Sequence, residues 1–451
     1  MIMTILKRIG MVLMCLALAG TGIAAAEEGT EKLKRIESPE GAETFVRILL
    51  GEDPASLDGV YLMSSDMDSY LKANGGFAAL AESLAALGAA TEICPAYEDT
   101  TGGIKAYRIP CRFALMPLDI ALTLDGNGAV AGLTTQLFTG GSQTAETAGK
   151  TFTVTELALP VPEMNGELPG TLTIPEGGGP FPAVVLIHGS GPNDRDETIG
   201  ALKPFRDISE DLAERGIAVY RFDKRTLVFG EEMAADTDVT LMEETMTDAA
   251  EAVQLLAAQE KIDRERIFVL GHSLGGTAIP AIDQELRNRT VQARGYILMA
   301  PGARRLDLMM REQYDFLAGL APELGPERDA AAAELDRLND PDSLKADDVV
   351  AGAYAAYWKW LIRYDAVGMA SGITAPCLLL QGEEDYQVTM EDFNLFRSAL
   401  GDKENWTFRS YPGLVHCFIH GLKSDGPAVY RSNARVDQNV TADIADFILS
   451  R

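Results

Sequence analysis

Phe268-Val269-Leu270-Gly271-His272-Ser273-Leu274-Gly275-Gly276 is the stretch on which the reading of this chain turns. An apolar run enters G-x-S-x-G and continues into a helix-forming segment, which predicts a buried strand, a sharp turn and a helix. A serine at such a turn is held in strained backbone geometry, and its flanking glycines are needed because side chains there collide with neighbouring backbone. The turn points the Ser273 hydroxyl out of the sheet, and the following helix N-terminus directs N–H groups and a positive dipole end towards developing negative charge. A bare G-x-S-x-G occurs by chance in many chains, where it is a glycine-rich turn with an idle serine. The strand before it and the helix after it make this one specific.

The flanking segments predict an α/β fold. Residues Phe181 to His188, Ile217 to Phe222, Arg266 to Gly271, Tyr296 to Ala300, Cys377 to Gln381 and Trp406 to Tyr411 read as strands. Lys203 to Arg215, Leu241 to Gln259, Leu274 to Arg287 and Thr441 to Ser450 read as helices between or after them. Buried strands alternating with amphipathic helices are the mark of a mostly parallel, doubly wound sheet. Residues 302–372 break the alternation with helical segments and no strand, where many such folds insert a lid. Tyr354, Tyr357, Trp358, Leu361 and Tyr364 share one helical face there. That stripe either packs the lid onto the core or lines an acyl pocket.

A serine hydroxyl needs a base, and the base needs an acid to orient it. The chain has four histidines. His272 lies inside the elbow, with its side chain expected to point away from Ser273, and His188, in His188-Gly189-Ser190-Gly191, is expected to hold an oxyanion loop. His416 sits in a loop just after the last predicted strand, which selects it as the base; a one-turn slip in that strand would exchange it for His420. For the acid, Leu378-Leu379-Leu380-Gln381-Gly382-Glu383-Glu384-Asp385 is a buried strand that breaks at glycine and opens into carboxylates. Asp385 stands at the G-x-x-D position, with Glu384 next. The chain order Ser, Asp, His differs from that of other serine-protease types. The run Asn193-Asp194-Arg195-Asp196 reads as a charge-paired loop that fixes the backbone N–H groups of Gly189 to Gly191, with direct substrate contact as the minor reading.

Ahead of this lies a second region. The chain has 451 residues, more than one core usually organises, so two domains and a processed leader are expected. Lys7 and Arg8 precede an apolar run and an A-x-A site, which predicts a signal peptide over 1–26 and export, against an uncleaved anchor. Residues 30–140 predict a small α+β domain, with helices at Gly41 to Leu50 and Gly76 to Leu87 and a hairpin turn at Asp125-Gly126-Asn127-Gly128. A linker falls near 140–150, and the remainder, 150–451, forms the larger domain. Cys94 and Cys111 lie on two strand-like segments that a disulfide could staple in an oxidising compartment. Cys377 and Cys417 read as separate buried thiols. No Cys/His spacing has the form of a zinc site. A formal charge of −28 disfavours nucleic acid and anionic lipid as partners. After processing, no segment is long and apolar enough to span a membrane.

His188-Gly-Ser-Gly-Pro-Asn-Asp-Arg-Asp-Glu-Thr, Arg221-Phe-Asp-Lys-Arg-Thr and the Ser273 elbow together resemble bacterial α/β-hydrolases of an exported carboxylesterase group, from about Val154 to the end. The resemblance implies a helical lid on an α/β-hydrolase core and acyl transfer from a small ester to water. It implies Ser273 as nucleophile, His416 as base, Asp385 as its orienting acid, and backbone N–H groups of Leu274 and Ser190 as the oxyanion donors. It implies no metal or organic cofactor. The N-terminal module resembles small domains of uncharacterised function that precede such hydrolases. Aminopeptidase-like, thioesterase or acyltransferase chemistry on the same machinery remains open, as does a non-catalytic binding protein built on a relic of the fold.

Overall fold

The structure is a computed structural model. It describes residues 33–451 except 52, 74, 86–89, 94–95, 100–104, 114–116, 138–150 and 433. The expected leader and linker and Cys94 therefore lie outside the described residues, and with Cys94 the expected disulfide. Cys111, Cys377 and Cys417 are all buried. No helix among the described residues is long and apolar enough to cross a membrane.

The chain divides into two compact units near residue 143. The first pairs three helices, Pro39–Leu49, Ser65–Ala73 and Gly76–Ala85, with an antiparallel sheet in the order Ala90–Ile93, Ala106–Phe113, Pro117–Leu124, Val130–Leu137. Helix Ser65–Ala73 was not foreseen; it buries Met67 and Leu71, so its apolar signal is thin. The core centres on Phe45, which meets Tyr61 and Phe77 edge-on at 5.0 and 5.5 Å.

The second unit carries an eight-stranded sheet. Its strands are β1 (Phe152–Glu156), β2 (Gly170–Pro175), β3 (Phe181–Ile187), β4 (Ala218–Phe222), β5 (Ile262–His272), β6 (Gly295–Met299), β7 (Cys377–Gly382) and β8 (Trp406–Tyr411). They run in the order β8-β7-β6-β5-β3-β4-β2-β1. Pairings from β4 to β8 through β3 are parallel, and β2 runs antiparallel to both β4 and β1. The α-helices of nine residues or more in this unit are α1 (Pro204–Glu214), α2 (Thr247–Ala257), α3 (Leu274–Asn288), α4 (Leu306–Leu320), α5 (Gly325–Leu335), α6 (Ala355–Arg363), α7 (Met390–Leu400) and α8 (Gln438–Leu449).

The period-two alternation of the strands divides the core between the two faces. Val185, Ile187, Val269, Leu298 and Leu379 pack with α2, α3 and α7, whereas Val184, Leu186, Phe268, Leu270, Ile297 and Leu380 pack with α1 and α8. Covered on both faces, the central strands read as unbroken apolar runs, which is why they were legible. This is the α/β-hydrolase arrangement.

Four expectations need correction. Strands β1 and β2 precede the first strand foreseen: β1 is an edge strand exposed along most of its length, and β2 buries Thr171 and Thr173 where an apolar pattern was sought. The Ser209 hydroxyl donates to Thr173 Oγ1 at 2.8 Å, which satisfies that side chain. The helix foreseen from Leu241 opens as a π-helical turn over Met242–Met246 before α2 begins. The final helix starts at Gln438 because Asp437 caps it, accepting the Asn439 N–H at 2.8 Å. The lid interval does contain strand, since Val349–Val350 and Ala353–Tyr354 form a short hairpin before α6. Its aromatic stripe packs inward: Trp358 and Leu361 are buried in the core, and Trp358 Nε1 donates to the Val350 carbonyl at 2.7 Å.

His188 follows β3 directly and is buried between Phe205 of α1, at 5.1 Å between ring centroids, and Phe222 of β4, at 5.6 Å. Burial among these rings disfavours the charged imidazole and pushes its pKa down to about 4. The native ring therefore stays neutral over a range in which the unfolded chain binds a proton. Stability from this group is full above the ordinary imidazole value and is lost as pH falls from about 6.5 to about 4. We expect the unfolding free energy of His188→Gln, measured by urea denaturation, to converge on that of the wild type across this window. The convergence should be on the order of 3 kcal/mol; parallel pH curves would contradict it.

Candidate active site

At the end of β5 the chain turns on Ser273, whose φ of 55° and ψ of −118° lie outside the regions that L-residues favour. Its N–H donates to the Met299 carbonyl at 2.8 Å, which ties the turn to the end of β6. Helix α3 starts at the next residue. A Cβ on Gly275 would sit against the carbonyl oxygens of Ile187 and His188, and one on Gly271 against the backbone of Gly275 and Gly276. The glycines are thus required by the close crossing of β3, β5 and α3. As the first residue of α3, Leu274 has an N–H without an intrahelical acceptor. Ser273 is half-buried, and its hydroxyl makes no hydrogen bond among the described residues.

The residues expected as acid and base are brought together by the loops after β7 and β8. Asp385 Oδ1 accepts the N–H groups of Gln387 at 2.7 Å and Val388 at 3.0 Å. Its Oδ2 faces His416 Nδ1 at 2.6 Å and accepts from Gln381 Nε2 at 3.1 Å. Gln381, fully buried in β7, also donates to the Val388 carbonyl at 2.9 Å, so it braces the acid loop at both ends. Facing a carboxylate, Nδ1 of His416 carries the proton, which leaves Nε2 as the acceptor of the neutral ring. The His416 ring lies 4.7 Å from that of His272, and the His416 carbonyl accepts from His272 Nε2 at 3.0 Å, which sets the base loop against the elbow. The two alternatives are elsewhere. Glu384 accepts the exposed Lys423 N–H at 3.1 Å, and His420, its side chain 76% exposed, pairs with Asp437 at 2.9 Å.

The loop after β3 is held by charge. Lys224 Nζ donates to the Gly189 carbonyl at 2.8 Å and pairs with Glu244 at 2.5 Å, both side chains being buried. Asn193 Nδ2 donates to the carbonyls of Gly189, Ser190 and Gly191 at 3.2 to 3.3 Å. Across a trans peptide the carbonyl and the following N–H point opposite ways, so anchoring Gly189 O turns the Ser190 N–H to the other side. The charged run therefore does not fix the loop through its N–H groups, as expected, but through its carbonyls. The remaining charges bind outward: Arg195 to Asp223 at 3.0 Å and Glu156 at 2.9 Å, and Asp196 to Lys203 at 3.0 Å and to Arg221.

Of the N–H groups of Gly189 to Gly191, that of Gly189 is held by a side chain, donating to Glu197 Oε1 at 2.6 Å. Glu197 lies one residue past the run singled out in the sequence and was missed, as were Lys224, Glu244 and Gln381. The signal available was position: Glu197 and Lys224 fall inside the two motifs that flank the first βα crossing. His188, expected to hold this loop, sits at its root, buried between Phe205 and Phe222.

Residues 302–372 touch the same elements. Tyr364 donates to the Thr277 carbonyl at 2.8 Å, and Thr277 Oγ1 donates to Ser273 O at 3.1 Å. Phe316 of α4 stacks on Tyr386 at 4.9 Å, and Gln313 donates to the Gln387 carbonyl at 2.8 Å, beside Asp385. Among the described residues, no group of three His, Cys, Asp or Glu side chains is placed to hold a metal ion.

Residues 180–422, which contain Ser273, Asp385 and His416, match the family described as serine aminopeptidase, S33. The chain is 36% identical to esterase EstD of Thermotoga maritima over 356 residues, spanning 76% of this chain and 80% of that protein. Among solved structures, Est1E from Butyrivibrio proteoclasticus is similar at 19% identity and a TM-score of 0.43, over 65% of this chain and 98% of its own. An esterase from Pyrobaculum calidifontis is similar at 19% identity and a TM-score of 0.39, over 66% and 85%. Elbow, buried acid and facing imidazole come from the segment that carries the family match, and the chain belongs to the serine aminopeptidase (S33) family of α/β-hydrolases.

Proposed function

We propose that the protein hydrolyses small carboxylic esters through an acyl-enzyme on Ser273. The observation that carries this reading is the buried Asp385–His416 contact of 2.6 Å, on a loop whose carbonyl is bonded to the elbow residue His272. In the reaction, His416 Nε2 takes the Ser273 proton as Oγ bonds to the ester carbonyl carbon. The carbonyl oxygen becomes an oxyanion, received by the N–H groups of Leu274 and Ser190. Collapse expels the alcohol, which leaves with the proton from His416, and the acyl group stays on Oγ. Water then attacks by the same route and releases the acid. Each oxyanion donor typically lowers the barrier by about 2.7 to 4 kcal/mol. Asp385 keeps the imidazole in the tautomer that accepts at Nε2 and stabilises the imidazolium that forms.

Preference for ester over amide is supported by the 36% identity to an esterase across three quarters of the chain. The family's description as aminopeptidase favours the second reading, amide cleavage by the same residues. Turnover of short p-nitrophenyl esters beside aminoacyl-nitroanilides separates them. We expect ester turnover to exceed amide turnover and Ser273→Ala to abolish both ester turnover and fluorophosphonate labelling. Faster amide turnover would move the assignment to a peptidase; equal labelling of wild type and Ser273→Ala would reject the nucleophile.

Asp385→Asn tests the acid separately. Its amide can donate to Nδ1 and favour the wrong tautomer, so kcat should fall on the order of 10⁴-fold while the fold is kept. A loss below tenfold, read from steady-state ester kinetics, would show that Asp385 does not orient the base.

A further inference from the structure

Glu197 and His272 form a buried pair that the reaction above does not use. They are 2% and 4% exposed, and Glu197 Oε2 lies 2.8 Å from His272 Nδ1. Each partner spends its second polar atom on a different loop. Glu197 Oε1 takes the Gly189 N–H at 2.6 Å, and His272 Nε2 faces the His416 carbonyl at 3.0 Å. Since both ring nitrogens face acceptors, the ring is an imidazolium that donates twice. Burial opposes charge on both groups, but their mutual attraction leaves His272 above the ordinary imidazole range and Glu197 below the ordinary carboxylate range.

Glu197 is also held at a φ of 52°, a conformation that is costly for a residue with a side chain. Such strain persists only where the surroundings impose it. A buried ion pair is a weak source of stability, because an apolar pair of similar size usually serves as well. Its geometry fits a different role.

Resting on the reading of Ser273 and His416 as nucleophile and base, we propose that the Glu197–His272 pair is a positioning clamp. Through one carboxylate and one imidazolium it fixes the oxyanion loop, the nucleophile elbow and the base loop relative to each other. With the Gly189 N–H committed to Glu197 and the Gly189 carbonyl to Lys224, the Ser190 N–H is the next donor of that loop free to meet the oxyanion. With the His416 backbone held to residue 272, the imidazole is fixed one residue from the nucleophile it serves. Misplacement of such groups by about 1 Å costs on the order of a hundredfold in rate.

The test compares the full-length wild type with Glu197→Gln, Glu197→Ala, and the apolar replacement Glu197→Leu/His272→Phe, in p-nitrophenyl ester kinetics with folding checked by circular dichroism. In Glu197→Gln the amide oxygen can still accept from Gly189 while its NH2 donates to a neutral His272, so kcat should stay within about tenfold of wild type. The apolar pair removes the hydrogen bonds and both charges but keeps the volume, so it should fold. Its kcat should fall on the order of a hundredfold with KM within about threefold, and Glu197→Ala, if folded, should match it. A folded apolar pair with wild-type kcat would overturn the clamp and leave the pair a structural element. Ser273→Ala measured in parallel keeps the two claims apart: residual turnover there rejects the site itself, whereas an inactive Ser273→Ala beside an unaffected apolar pair rejects only the clamp.

Discussion

Three backbones meet at one point where there is no space for a side chain. The carbonyl oxygens of Ile187 and His188, at the end of β3, press on Gly275 in the first turn of α3, and Gly271 at the end of β5 lies against that same turn. The chain can pass from β5 to α3 only by a bend so tight that Ser273 takes a positive φ. Strain of this kind costs about 1–3 kcal/mol. The flanking strands offset it, since β3, β5 and β6 are buried on both faces over most of their length. The loop after β3 starts against that bend, where a Cβ on Gly189 would meet Ser273, and the loop after β8 is bonded to it through the His416 carbonyl and His272.

The C-terminal edge of the sheet is where the protein buries charge. Lys224–Glu244, Arg225–Asp248, Glu197–His272 and Asp385–His416 are all enclosed, and each is matched by an opposite or hydrogen-bonding partner at 2.5 to 2.8 Å. An unpaired ion in such a place would cost several kcal/mol. The pairs tie the loops after the strands to the end of β5 and the start of α2, beside an apolar core. Most of them join two segments far apart in sequence, so charge pairing does for the loops what hydrophobic packing does for the strands.

Legibility in the sequence follows from this division. Parallel strands buried on both faces appear as apolar runs, and the G-x-S-x-G turn is dictated by local sterics, so the core order and the position of Ser273 could be read. Asp385 and His416 followed from their places after predicted strands, and the structure brings them into contact. The edge strand β1 and its neighbour β2 were missed because β1 is polar towards solvent and Thr173 of β2 is satisfied by Ser209, which no periodicity reveals. Glu197, Lys224 and Glu244 were missed for a related reason. A charged residue that becomes buried only through a partner 20 to 75 positions away looks, in the sequence, like any surface charge.

The central claim is that a covalent acyl group passes through the hydroxyl at the bend. Acid quenching of the protein during turnover of a slowly deacylating p-nitrophenyl ester, followed by trypsin digestion and mass spectrometry, examines that bond itself. The peptide spanning residues 267–287 should gain the mass of one acyl group, located at Ser273 by fragmentation. An unmodified peptide under conditions of steady turnover, or an acyl group found on another residue, would contradict the account.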